Sequence, residues 1–508
     1  MLRWFLRRGF WDLIAWVKFR FAKPVDIKLP RAQWGQINPK PMREAIPDVP
    51  LYKVMVCPPA NIPEDERNPR NTKFYEFQVW LYKIYSPMQP GLPRIDPDPH
   101  VALKRAFNGP RRKLFRDPEL PAEYLGNPDL GSLAVRGPYA CYIKHVADDI
   151  WEWDLTMLDK YEHHPGLVKL GSRVLFREDP VRRSLQAFRI ECALGSIKPT
   201  DAEWDQACKI VLCAATTHLS LVRHFNWVHL AGGAQLAIAT RNRLRQDHPL
   251  FRLLWPYIYG TQQSNDMVTR GQMVRGGDFE TTFSFTFRGM CDLFDDTYEQ
   301  YQHSVNDPET EGKTRGLPSA KFDTPTQQNL EQLFKVMHNF VCDYLEIFFP
   351  KSATGAKDVR NDPETLAWLK ELEARLPNGA GIDPASFTWV ELARMLAGQL
   401  FLVTAQHEIL GSFMWNYQLW THRQPARIYE DFRAEPLDVY QRLVNANYIL
   451  NVHRRALIHN FDNIALPAAW PALSKFQNEL RNLQTTMDSE PRAVWRVYPR
   501  DLKVNINA

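Results

Sequence analysis

Cysteine is scarce in this sequence. The seven residues at 57, 141, 192, 208, 213, 291 and 342 are odd in number, scattered and mostly set in apolar contexts. That excludes a disulfide-stapled scaffold and predicts the reduced core thiols of a cytoplasmic protein. An excess of one charge is missing too. With 63 basic against 58 acidic residues, a formal +5 is spread over 508 residues, so no nucleic acid is expected as a partner. Internal repeats and low-complexity segments are absent. So is the His-Glu-x-x-His pattern of hydrolytic zinc sites, because Gly411 stands where a second histidine would follow His407 and Glu408. What the chain does have is 44% hydrophobic and 12% aromatic residues, ample for one large domain or two.

Three regions follow from composition. Residues 1–23 mix Trp4, Phe5, Phe10, Trp11, Trp16 and Phe19 with Arg3, Arg7, Arg8, Lys18, Arg20 and Lys23. Charge interrupts this arm too often for it to span a bilayer, and no small-residue cleavage site follows. It reads either as an interfacial helix lying peripherally on a membrane or as an aromatic arm packed on the body. Residues 24–135 are proline-rich and read as an irregular wrapping segment, with one periodic stretch, Lys73 to Tyr85, that fits strand or helix. Residues 136–508 read as a helical catalytic domain, mainly α, with a small β-hairpin at 173–192 around Glu178, Asp179 and Pro180. Thr200 with Glu203, and Thr388 with Glu391, have capping-box spacing. The first predicts a helix from Asp201 to about Arg243, roughly 60 Å long; the second predicts one running to about Trp420. Further helices are expected at 325–349, 362–376, 436–460 and 470–486, with surface loops at 305–324 and 350–361.

Histidine is the residue type that suggests chemistry. His218, His224 and His229 fall inside the first long apolar helix and His407 inside the second, and neutral imidazoles are the commonest ligands for iron, copper and zinc. On a straight α-helix His218 and His229 stand roughly 16 Å apart, too far to share one ion. His224 and His229 diverge by about 140° on an α-helix but come within about 50° where a π-bulge adds a residue per turn.

His248, Pro249, Leu250, Phe251, Leu253, Leu254, Pro256, Thr261 and Asn265 stand in an order and spacing that closely resembles the lipoxygenase family. The likeness runs from about residue 120, through Leu125 to Asp129 and the hairpin, to the end of the chain. No counterpart of the N-terminal β-barrel of plant and animal members is found, as in many bacterial members. In that family a bulged helix carries His-x4-His-x4-His and its first two histidines bind iron. Here the run is His-x5-His-x4-His, and counting from Trp204 puts Leu219 on the first ligand position and His224 on the second. The set read here is His218, His224 and His407, with His229 as the alternative to His218. The resemblance implies that the terminal carboxylate, here of Ala508, is a further ligand. Pro499, Leu502 and Ile506 keep the pattern of the family's tail. Gly411 falls where the family has a fourth side-chain ligand, so water would take that place or the coordination number would fall.

Imidazoles plus a carboxylate suit iron, or manganese, handling dioxygen better than structural zinc. The resemblance implies a dioxygenase that converts a polyunsaturated fatty acyl chain to a hydroperoxide. The alternatives are an oxidase of another lipid, hydroperoxide or pathway intermediate, and a metal-free lipid-binding protein. Gly232 and Gly233 would let a substrate chain or another backbone approach closely. Arg275 would pair with a substrate carboxylate or face solvent.

Overall fold

The computed structural model describes residues 6, 10, 13, 26–30, 34–84, 119–411, 415–418, 420, 423–432 and 455–506. Nearly all of the 1–23 arm, most of the expected 436–460 helix, and Ala508 therefore lie outside the described residues.

Ahead of residue 84 the prolines give short elements. Strand β1 (Lys40–Pro41) pairs antiparallel with β2 (Met55–Val56), and the periodic stretch is a helix, α1 (Pro69–Ile84). This segment is bound to the helices behind it. Trp34 donates its indole N–H to the Arg241 carbonyl at 2.9 Å, and the Arg241 guanidinium lies against the stacked rings of Trp34 and Trp255, 4.4 and 4.6 Å from their centres. Arg241 also pairs with the fully buried carboxylate of Glu66, a charge that burial alone would not tolerate.

The expected hairpin is part of a five-stranded antiparallel meander: β3 (Lys144–Ala147), β4 (Ile150–Asp154), β5 (Arg173–Asp179), β6 (Ser184–Cys192) and β7 (Gly195–Ile197). Asp179 turns the chain between β5 and β6, its carboxylate accepting from the backbone N–H groups of Val181 and Arg182 at 3.1 and 2.9 Å.

Behind the sheet begins the long helix α2. It is α-helical over Trp204–His218, π-helical over Leu219–Gly233 and α-helical again over Ala234–Arg243. The Thr200–Glu203 capping box does not form. Asp201 instead accepts from the Lys198 N–H at 2.8 Å, and the helix starts only at Trp204. Polar anchors hold the wide π segment against its neighbours. Asn226 donates to the Phe294 carbonyl and the Thr297 hydroxyl at 2.8 and 2.9 Å, and Trp227 donates to the Thr297 carbonyl at 2.8 Å. Both acceptors belong to a later helix, given below. Arg223 pairs with Glu311 at 2.5 Å.

After α2 come α3 (Pro249–Ile258), α4 (Thr261–Val268, continued as a π turn over Thr269–Met273) and α5 (Phe287–Tyr298). Next is α6 (Pro308–Thr314), capped by Asp307, so the region expected as a loop at 305–324 contains a helix. The expected helices α7 (Pro325–Phe348), α8 (Pro363–Arg375) and α10 (Trp470–Asp488) are present. Between them α9 opens with the full Thr388–Glu391 capping box and runs α over Trp389–Phe401, π over Leu402–Gln406 and α over His407–Leu410. Its regular course breaks at Gly411, and the chain is helical again over Trp415–Gln418, ahead of the expected Trp420. The described end of the expected 436–460 helix, residues 455–460, is irregular. All seven cysteines are free.

Candidate metal centre

The π segment of α2 and the end of α9 bring three histidines together. His229 lies with its Nε2 3.3 Å from His224 Nε2 and 3.1 Å from His407 Nε2. Among the described residues these three form the one group of at least three His, Cys, Asp or Glu side chains whose donor atoms could hold an ion, all within 4.8 Å of one another. The five-residue step from His224 to His229 works because both lie in π geometry, where that step nearly closes a turn.

Two of the outer ring nitrogens are held. His229 Nδ1 lies 3.3 Å from the Asn265 amide oxygen, and the Asn265 amide N–H donates to the His229 carbonyl at 3.0 Å. His407 Nδ1 lies 3.2 Å from Glu408 Oε1. An oxygen acceptor at Nδ1 fixes the proton there and leaves Nε2 with its lone pair. Lone pairs that converge in this way repel unless a cation lies between them. Metal–nitrogen bonds of ~2.1 Å at angles from right to tetrahedral give donor spacings of about 3.0–3.4 Å. The lone pairs and the two spacings from His229 fit a first-row transition ion. His229 and His407 are buried and His224 is half-buried.

Gly411 has a role that the sequence reading assigned differently. A Cβ built at this position would lie 2.6 Å from His224 Nε2 and 2.9 Å from Cε1. The glycine gives up the volume that the His224 ring occupies.

His218 is not part of this group. It is the last residue of the α-helical stretch of α2, and its Nδ1 lies 2.9 Å from the Tyr142 hydroxyl. Its ring stands edge-on to Tyr142 and Trp227, and burial pushes its pKa down to about 3. The α-helical turn, carrying no extra residue, directs it away from the point where His224 and His229 converge. Gly232 and Gly233 face protein rather than a channel. A Cβ at Gly232 would meet Leu402 Cδ2 at 2.5 Å, and one at Gly233 would meet Ile506 Cδ1 at 2.6 Å. Their smallness serves packing between helices and against the tail. Arg275 is exposed, its guanidinium 4.5 Å from the centre of the Phe287 ring.

The tail reaches the π segment. Leu502, Val504 and Ile506 are fully buried, and the Asn505 amide donates to the carbonyls of Pro256 and Tyr259 at 3.4 and 3.3 Å. Sequence reasoning did not assign Asn265 its hold on His229, because the two are distant in the chain and no local period links them. Glu408 stands next to His407 in the chain, but adjacent helix positions point apart, and only the length of its side chain turns the carboxylate back to His407.

No protein-family profile matches the chain. It is similar to the polyunsaturated fatty acid (12S)/(13S)-lipoxygenase, epidermal-type, of Mus musculus, with 26% identity over 185 residues, 35% of this chain and 27% of that protein. It is also similar to the polyunsaturated fatty acid lipoxygenase ALOX12 of Mus musculus, with 28% identity over 197 residues, 37% of this chain and 28% of that protein. The matched stretch thus spans less than a third of either relative. Among solved structures, a coral 8R-lipoxygenase aligns with a TM-score of 0.73 at 15% identity, over 90% of this chain and 77% of that one. A lipoxygenase crystallised anaerobically in complex with arachidonate aligns with a TM-score of 0.73 at 15% identity, over 90% and 78%. The fold is the helical fold of these proteins.

Proposed function

We propose that this divergent relative of the lipoxygenases is a non-haem iron, or manganese, dioxygenase of polyunsaturated fatty acyl chains, with His224, His229 and His407 as its imidazole ligands. The convergence of three Nε2 atoms, two of them 3.1 and 3.3 Å from the third, carries the reading. A bound metal of this kind would supply the one-electron chemistry that removes hydrogen from a doubly allylic carbon, leaving a pentadienyl radical that dioxygen traps at one end to give a conjugated diene hydroperoxide. The chain's own residues do the positioning. Asn265 and Glu408 orient two of the rings, and Gly411 makes room for the third. The π geometry of α2 sets the spacing between His224 and His229. On this reading the ligand pair on α2 is the second and third of the family's three positions, and Leu219 occupies the first as a core residue.

The main-chain carboxylate of Ala508 is the proposed fourth donor. It lies two residues beyond Ile506, which is packed on Gly233 in the same π segment as both α2 ligands. Appending residues after Ala508 tests this: the expected result is loss of most bound metal with the circular dichroism of the fold retained, and a retained metal content counts against the carboxylate.

Metal analysis of the purified protein tests the main reading, with close to one iron or manganese per chain expected. Oxygen uptake and conjugated-diene formation with linoleate or arachidonate complete it. Stoichiometric zinc, or no metal after growth in replete medium, overturns it. Metal-loaded protein that leaves both fatty acids and oxygen untouched overturns the dioxygenase assignment in favour of an oxidase of another lipid or hydroperoxide.

A further inference from the structure

We propose that the outer face of α1 is a docking surface for a lipid bilayer containing anionic headgroups. Arg70, Lys73, Phe77, Trp80 and Ile84 recur at alternating spacings of three and four residues, so they form one stripe along the helix. All five are exposed, and the three apolar ones keep 48%, 53% and 62% of their surface accessible. Large apolar side chains cost free energy when left in water, and three in line on a single helix face form a patch that calls for a partner. The rings of Phe77 and Trp80 stack at 5.5 Å, making one continuous aromatic surface. Glu76 is the one acid in the helix sequence, and it is paired with Arg270 at 3.3 Å.

The chemistry of the stripe selects the occupant. A helix of 16 residues, about 24 Å long, can lie flat on a membrane, with aromatic rings at the headgroup boundary and cationic side chains reaching phosphate oxygens. A coiled-coil seam of the same spacing takes branched aliphatic residues and does not give two of five positions to Arg and Lys. The inner side of α1 is committed to the protein. Val79 is buried, Gln263 on α4 accepts from the Asn68 N–H at 2.7 Å, and its amide donates to the Thr72 hydroxyl at 3.0 Å. Since α4 also carries Asn265, docking through α1 sets the bilayer one helix away from His229. This inference stands whatever chemistry the histidines perform.

Co-sedimentation of the full chain with phosphatidylcholine vesicles, with and without phosphatidylglycerol, tests it. Phe77→Ser/Trp80→Ser/Ile84→Ser is expected to weaken binding to both at least tenfold, and Arg70→Gln/Lys73→Gln only to the anionic vesicles. Trp80→Phe is expected to bind as the unaltered chain does but to lose part of the tryptophan quenching caused by brominated phosphatidylcholine. That readout locates α1 at the lipid independently of residues 1–23, and it decides alone if the triple variant loses helicity. Unchanged sedimentation of a folded triple variant, or unchanged quenching in Trp80→Phe, overturns the proposal. So does self-association of the chain that the triple variant abolishes while neither protein binds vesicles, since the stripe would then be a seam between copies.

Discussion

His218 and His229 stand on one unbroken helix, both buried, and they meet different fates. His218 closes the α-helical stretch and lies against the Tyr142 hydroxyl at 2.9 Å. His229 lies in the π segment, with Asn265 at one ring nitrogen and two other imidazoles at the other. Residue type and burial do not separate them. Helical pitch does, by deciding which side chains share a face, and the partner at Nδ1 then decides whether Nε2 is left to bind an ion. A histidine in an apolar helix is therefore a ligand or a core residue according to the backbone beneath it.

The sharpest way to break this contrast is to remove each ring in turn. His229→Ala should reduce bound metal after dialysis to background, while His218→Phe should keep the full complement. The opposite result would reverse the assignment of the two histidines. Next in size is Gly411→Ala, whose methyl would meet His224 Nε2 at 2.6 Å. His224 must then swing away, and metal affinity measured by competition with a chelator should fall by roughly a hundredfold, with thermal stability little changed. An unaltered affinity would show that His224 can bind from another rotamer.

Asn265→Ala acts one step further out. Loss of an outer hydrogen bond to a ligand typically costs about ten- to a hundredfold in metal affinity. Here it should also free the His229 ring, visible as a broadened imidazole resonance in the metal-free protein. The smallest effect on metal binding belongs to His218, whose signature is in stability instead. Its folded pKa is lowered from 6.5 to about 3 by burial, so the unfolded chain binds more protons in that window. Stability should fall as the pH drops from 6.5 toward 3, and His218→Phe should flatten that part of the denaturation profile. An equally steep profile in the variant would place the acid sensitivity elsewhere.

Much of this was legible in the sequence. Asp179 marked the hairpin turn, Thr388 and Glu391 the start of α9, and the step from His224 to His229 a departure from α geometry. The length of the departure was not legible. A single bulge satisfies the spacing, whereas the π segment runs over Leu219–Gly233 because Asn226, Trp227 and Arg223 anchor it to α5 and α6. Those anchors are long-range, and no local period reports them. The same holds for Gly411, whose meaning depends on the His224 ring from a helix far away in the chain. Thr200 and Glu203 have the spacing of a cap without its structure, since Asp201 engages Lys198 first.

The mixed pitch of α2 bears on how such a site can change over evolutionary time. A helix that passes from α to π within a few turns works like a vernier scale: two rows of side chains of slightly different spacing slide past a fixed point, and different residues come into line with it. On the proposed assignment, a ligand set can move one position along the helix by point substitution alone. A leucine fills the place given up at 219, and a glycine at 411 makes room for the His224 ring in the rearranged set. Helices, sheet and tail keep their course, so selection can try new coordination geometries without first passing through a broken fold.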